Sequence, residues 1–185
     1  MQTYTNIPNT LMSMTEHPLS QFAYCPKCGS PRFGIHNGKS KQCPDCGFVY
    51  YFNPSSATVA FIVNERHELL VCRRAKDPAK GTLDLPGGFV DMYEEGVARE
   101  VLEETGMTVT QAQYLFSLPN LYLYSGFTVH TLDMFFRCQV KDTLHFQAMD
   151  DAADTFFVPF EKLQPEEFGL ASIREGLKKF LKESV

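Results

Sequence analysis

Two short cysteine knuckles constrain this chain more than any other feature. Cys25-Pro26-Lys27-Cys28-Gly29 and Cys43-Pro44-Asp45-Cys46-Gly47 are separated by the fourteen residues between Cys28 and Cys43. Two C-x2-C pairs at this separation can set four thiolates around one Zn²⁺, each about 2.3 Å from the metal. The glycine after each second cysteine permits the tight turn that aims backbone N–H groups at the sulfurs. Between the knuckles, Asn37-Gly38 predicts a hairpin turn. Residues 21–52 are therefore expected to form a small zinc ribbon. A pair of disulfides is the competing reading, and a repeated knuckle in a reducing compartment argues against it. Cys72 and Cys138 lie in apolar, strand-like stretches and are expected to be buried and unreactive.

The chain contains no apolar run of transmembrane length, and its first twenty residues lack a basic start followed by an apolar stretch. A cytoplasmic protein with no membrane contact is the expectation. Residues 1–20 read as a flexible lead-in, with a short amphipathic piece around Leu11, Met12 and Met14. The formal net charge is −5, which argues against general nucleic-acid binding. Within the ribbon, Lys27, Arg32, Lys39 and Lys41 stand among few aromatics, which favours a scaffold or homodimer contact over nucleic-acid recognition.

Phe48–Pro54 reads as an extended linker. Ala57–Val63 and Leu69–Arg73 predict two strands around the polar turn at 64–68. A helix is expected from Glu95 to Thr105, where Val97, Ala98, Val101 and Leu102 recur at helical spacing and Gly106 supplies the C-cap. Further strands are expected at Ala112–Ser117, Thr128–Val140 and Phe156–Val158. A C-terminal helix over Glu166–Lys182 places Phe168, Ile173, Leu177, Phe180 and Leu181 on one face. Strands flanking one helix and closed by a second imply an α/β sandwich over residues 53–185.

Glu100, Glu103 and Glu104 stand at i, i+3 and i+4 and share one helix face. Like charges so spaced destabilise an isolated helix by a few tenths, roughly, of a kcal/mol per pair. A divalent cation would remove that cost, and hard oxygen ligands favour Mg²⁺ or Mn²⁺. A solvated acidic face is the plainer alternative. Gly87-Gly88, just upstream, lets backbone approach a ligand closely and tilts the reading toward a site.

Leu85-Pro86-Gly87-Gly88 together with Arg99-Glu100-Val101-Leu102-Glu103-Glu104-Thr105-Gly106-Met107 resembles the Nudix box, G-x5-E-x7-R-E-U-x-E-E-x-G-U with U aliphatic. The ribbon-then-Nudix order is similar to that of bacterial NADH pyrophosphatases. The resemblance implies a Nudix-type α/β/α sandwich with a mixed sheet, and metal-dependent hydrolysis of the pyrophosphate in a nucleoside diphosphate derivative such as ADP-ribose or NADH. It further implies that Glu100, Glu103 and Glu104 bind the catalytic metals, that Arg99 orients them by a salt bridge, that the Gly87 carbonyl is a further ligand and that Glu94 belongs to the catalytic set. Capped RNA ends are the one nucleic-acid substrate it admits.

Two features depart from the family pattern. Four residues lie between Glu94 and Arg99 where the box has seven. Either the box is shortened, or three residues are missing from the sequence; the way Met92-Tyr93-Glu94 runs on favours the second and predicts an interruption between Met92 and Gly96. The second departure lies at Ser117-Leu-Pro-Asn-Leu-Tyr-Leu-Tyr-Ser125, which stands where NADH pyrophosphatases carry S-Q-P-W-P-F-P-x-S. It keeps both serines and the first proline, but not the Gln or the Trp. Tyr122 and Tyr124 are candidates to stack on a base, packing being the alternative, and Arg73 or Arg74 to reach a phosphate. Asp150, Asp151 and Asp154 read as a solvated acidic turn. The five histidines form no pair at ligand spacing. A non-catalytic nucleotide sensor and a nucleic-acid-binding ribbon are the rival functions; the complete glutamate set speaks against the first and the acidic charge against the second.

Overall fold

The computed structural model describes residues 17–150 and 152–183. The chain divides between Asn53 and Pro54 into two compact units. In the first, strands β1 (Gly34–Asn37), β2 (Ser40–Gln42) and β3 (Val49–Tyr51) form an antiparallel sheet in that order. Asn37 turns the hairpin, its side-chain oxygen accepting from the Lys39 amide at 3.0 Å. Phe48–Pro54 was expected as a linker, but Val49–Tyr51 pairs with β2, because closing the second knuckle (Cys43 N–H to Phe48 carbonyl, 2.9 Å) lays that segment along the sheet. The amphipathic piece around Leu11, Met12 and Met14 lies outside the described residues. His17–Ser20 forms a turn in which Leu19 is fully buried, so ordered structure starts before Gln21.

The second unit has two three-stranded sheets. Strands β4 (Ser55–Ile62), β7 (Val109–Tyr124) and β8 (Phe127–Val140) make a mixed sheet in the order β4-β8-β7, with β4 parallel to β8 and β7 antiparallel to it. Strands β5 (Glu68–Arg74), β6 (Leu83–Asp84) and β9 (Ala152–Pro159) make an antiparallel sheet in the order β6-β5-β9. Helices α1 (Val97–Thr105) and α2 (Ala171–Glu183) cover opposite sides. Alternation along β4 produces the layering: Val59 and Phe61 join the core under α2, while Ala60 and Ile62 join the core under α1. Phe61 stacks on Phe180 of α2 at 4.0 Å between ring centroids. Ile173, Leu177 and Phe180 carry the buried stripe of α2, and burying each side chain contributes about 1.5–3 kcal/mol.

The strands expected at Ala112–Ser117 and Thr128–Val140 are the inner parts of one long hairpin, β7–β8. Its register carries β7 through Pro119 to Tyr124 despite the proline and asparagine in that segment. The C-terminal helix starts at Ala171; Pro165–Glu167 forms a 3-10 turn ahead of it. Helix α1 starts at Val97 and ends at Gly106, whose amide bonds to the Leu102 carbonyl.

Candidate active site

The full sequence carries four residues between Glu94 and Arg99 and omits none there, so the expected interruption between Met92 and Gly96 is set aside. The fold absorbs the shortening through a turn with Tyr93 at φ 74°. Glu94 then folds back, accepting from the Asp91 amide at 2.8 Å and taking both oxygens to Arg99 Nε at 2.9 Å.

Helix α1 buries Val97, Val101 and Thr105, which leaves its glutamates on the other face. Arg99 is the hub of that face. It reaches Glu103 at 2.7 Å, Glu100 at 2.9 Å and the Phe89 carbonyl at 3.0 Å, besides Glu94. Glu104 points the other way and accepts from the Gly87 amide at 3.0 Å. Gly87 thus meets Glu104 through its N–H, where the sequence pattern implied a role for its carbonyl.

Segment 86–90 runs antiparallel beside β4 (Thr58 N–H to Gly88 carbonyl, 2.9 Å; Ala60 N–H to Pro86 carbonyl, 2.8 Å). That pairing brings the glycines against α1. A Cβ on Gly87 would lie 2.0 Å from the Thr58 carbonyl oxygen, and one on Gly88 would lie 2.6 Å from a Glu100 oxygen. At Gly87, where the obstacle is backbone, only glycine fits; at Gly88 the Glu100 carboxylate would have to move aside.

A cleft of about 320 Å³ adjoins these groups, its lining including Gly87, Gly88, Arg99, Glu100, Glu103 and Glu104. Burial raises the Glu100 pKa above the ordinary glutamate value, the nearby Arg99 only partly opposing it. Glu94, outside the cleft lining, is held below that value by its hydrogen bonds to Arg99 and to the Asp91 amide. Glu100, half-buried with its charged form penalised by burial, and the hard oxygens of Glu103 and Glu104 beside it fit a hard divalent cation. Among the described residues, however, only the four knuckle cysteines bring three or more ligand atoms within 4.8 Å of one another. The glutamates are instead divided between Arg99 and Gly87.

The cleft is also lined by residues that the sequence did not single out: Asp84, Phe89, Asn120 and Asp133. Phe89 is 40% exposed and stands edge-on to Tyr122, with centroids 5.5 Å apart at 87°. An apolar residue directly after a glycine pair was the available signal. Asp133 is buried and accepts from Thr131 at 2.6 Å and Ser172 at 2.5 Å; burial raises its pKa against those hydrogen bonds. Tyr122 lines the cleft, whereas Tyr124 is exposed at the hairpin tip, outside the lining. Arg73 lines it too, donating to the Gly81 carbonyl at 2.8 Å. Arg74 is committed inside the protein: Nε to Pro78 carbonyl at 2.7 Å, Nη1 to Asp84 at 2.5 Å and Nη2 to Tyr122 hydroxyl at 3.3 Å. Asp150 joins the lining, and Asp151 lies outside the described residues.

In the first unit the Cys25–Cys46 and Cys28–Cys43 sulfurs are each 3.7 Å apart, and all six cysteines are free thiols. Four sulfurs at 2.3 Å from a tetrahedral zinc stand about 3.8 Å apart, so the spacing fits zinc and not a disulfide. Gly29 and Gly47 take φ of 74° and 71°, each closing its knuckle by donating its N–H to the Cys25 or Cys43 carbonyl. Arg32 pairs with Asp45, and Lys41 donates to the Phe22 carbonyl, which occupies two of the ribbon's four cations. Cys72 and Cys138 are buried; burial pushes the Cys138 thiol up to about 11 and Cys72 higher still.

Residues 53–182 match the NUDIX domain family model. The NAD-capped RNA hydrolase NudC of Vibrio cholerae is 31% identical over 106 residues, which take in 56% of this chain and 39% of that protein. NudC of Stutzerimonas stutzeri is 33% identical over 102 residues, 54% of this chain and 36% of that protein. The chain thus spans about two-fifths of the length of these relatives. A crystal structure of a NUDIX hydrolase from Nitrosomonas europaea superposes with a TM-score of 0.67 at 23% identity, covering 86% of this chain and 90% of that one. The MutT protein of Methanosarcina mazei Go1 superposes with a TM-score of 0.56 at 26% identity, over 73% of this chain and 99% of that one. No helix among the described residues is long and apolar enough to cross a membrane.

Proposed function

This chain belongs to the Nudix family of pyrophosphohydrolases, and on that premise we propose that it hydrolyses the pyrophosphate linkage of a nucleoside diphosphate derivative, ADP-ribose, NADH or a related dinucleotide. The observation that carries the proposal is the carboxylate face of α1 lining a cleft that the Phe89–Tyr122 aromatic pair also lines. Glu100, Glu103 and Glu104 would hold Mg²⁺ or Mn²⁺, with the Gly87 backbone beside them. When bound, the cation polarises the phosphoanhydride and lowers the pKa of an attacking water. Arg99 restrains Glu100 and Glu103, and the Gly87 amide restrains Glu104, so that they are set before substrate arrives. One of the glutamates takes the proton of the attacking water, which is ordinary general-base work for a carboxylate. Of the two arginines at the end of β5, Arg73 is the one that serves a phosphate, because Arg74 is held by buried Asp84; Lys76 also lines the cleft. Phe89 and Tyr122 receive the base.

The names of the NudC relatives support a nicotinamide-dinucleotide or capped-RNA substrate, while the departure at 117–125 supports a broader dinucleotide class. In the ribbon, Cys25, Cys28, Cys43 and Cys46 would hold one structural zinc.

The test is release of nucleoside monophosphate from ADP-ribose, NADH, dinucleoside polyphosphates and NAD-capped RNA, with and without Mg²⁺. Cation-dependent release from at least one of them is expected. In Glu103→Gln and Glu104→Gln, turnover should fall by about a hundredfold or more, since a metal's transition-state stabilisation is worth roughly several kcal/mol. Nucleotide binding without hydrolysis would mark the chain as a sensor instead.

A further inference from the structure

We propose that Arg74 is a positioning residue that fixes the Phe89–Tyr122 aromatic corner in the attitude that accepts a nucleobase. The inference rests on the reading that this corner of the cleft takes the base. Arg74 belongs to β5 in one sheet and Tyr122 to β7 in the other, so their contact bridges the two sheets across the cleft. Nη2 donates to the Tyr122 hydroxyl at 3.3 Å, and the guanidinium carbon lies 5.9 Å from the centre of the Tyr122 ring.

The guanidinium cannot leave this place cheaply. Its Nη1 pairs at 2.5 Å with Asp84, which is 8% exposed, and a buried carboxylate stripped of its cation carries a large desolvation penalty. Its Nε holds the Pro78 carbonyl, which ties down the loop before β6. Tyr122 therefore hangs from a fixed charge rather than from a flexible one. Phe89 completes the corner, its ring nearly perpendicular to Tyr122 and partly exposed. Two aromatic surfaces at a right angle offer a face and an edge to a planar ring. Arg74 acts on base binding through Tyr122, while phosphate binding falls to other residues.

The experiment is calorimetric titration of the full chain, in Mg²⁺, with AMP and with ribose 5-phosphate, which lacks a base. Arg74→Lys keeps a cation beside Asp84 but loses the fork that also reaches Tyr122. Tyr122→Phe removes only the phenolic oxygen and keeps the ring, so it decides the matter even if the Lys variant misfolds. Each should weaken AMP by about three- to tenfold and ribose 5-phosphate by less than about twofold, on the scale of one hydrogen bond to a charged group. The double variant should bind AMP no more weakly than Arg74→Lys alone, because both changes break one link. Equal weakening of both ligands, unchanged AMP affinity, or no AMP binding by the wild-type protein would each overturn the inference. A wild-type protein that binds AMP but hydrolyses no nucleotide would sink the hydrolase reading alone, and the AMP to ribose 5-phosphate comparison would still decide the role of Arg74.

Discussion

Gly87 and Asp133 are single residues whose surroundings make sharp demands. Gly87 has φ 151°, and its missing Cβ leaves room for the Thr58 carbonyl, which the Thr58–Gly88 backbone pairing holds in place. Gly87→Ala should cost about 3 kcal/mol of stability, read as a lower denaturant midpoint at an unchanged slope. A midpoint equal to wild type would show that the segment shifts freely. Asp133 makes a different demand. Its folded-state pKa is raised by burial, so the stability it contributes is complete below the ordinary aspartate pKa and is lost as pH rises through the folded value. Asp133→Asn lacks that titration. The stability gap between variant and wild type should therefore be widest at about pH 4 and shrink toward about pH 7 in urea denaturation; a gap that widens with pH would reverse the assignment. Neither demand was fully legible in the sequence. The glycine pair announced a close approach, but the carbonyl it accommodates is twenty-nine residues away, and Asp133 meets Ser172 only because α2 folds back over β8.

Elements were legible where the information is local. The three-to-four spacing in α1 and α2 follows from which face each helix buries, and the Asn37-Gly38 turn carries its own chemistry. Range was lost at the ends of β7, where Pro119 and Asn120 have poor strand propensity and pairing with β8 overrides it. The acidic face of α1 was readable as one face, but not how it is neutralised. Arg99 was expected to bridge to the metal glutamates, and it also gathers Glu94, whose box position is altered by the missing turn. Glu94 lies outside the cleft lining and bonds to Arg99, so on the proposed reading its role runs through Arg99. Glu94→Gln should therefore cost about tenfold in activity, within the 10–100-fold typical of groups that orient metal ligands, and less than Glu104→Gln. Equal losses in the two variants would place Glu94 among the groups that touch the metal or the water.

At the scale of the whole molecule the two units differ in what holds them. The second unit has two apolar cores, one under each helix. Among the described residues of the first, the one buried apolar cluster is Cys25, Phe33 and Cys43, with Cys46 and Phe48 against them. So small a cluster cannot offset the backbone entropy of the segment it organises, which is about 1–2 kcal/mol per residue. Cys25 and Cys43 are almost wholly buried, and their sulfurs stand in a set of four at the spacing that zinc imposes. On the proposed zinc reading, metal binding and folding of this unit are one equilibrium. Protein purified without added metal should contain about one zinc per chain. A strong chelator should release that zinc and erase the tertiary signals of the ribbon while the helical signal of α1 and α2 persists. Cys43→Ser should do the same without chelator, since it removes a ligand and leaves the backbone intact. Loss of the helical signal together with the zinc would show that the second unit depends on the metal as well, and a metal-free protein with an intact ribbon would show that the thiols hold no zinc at all.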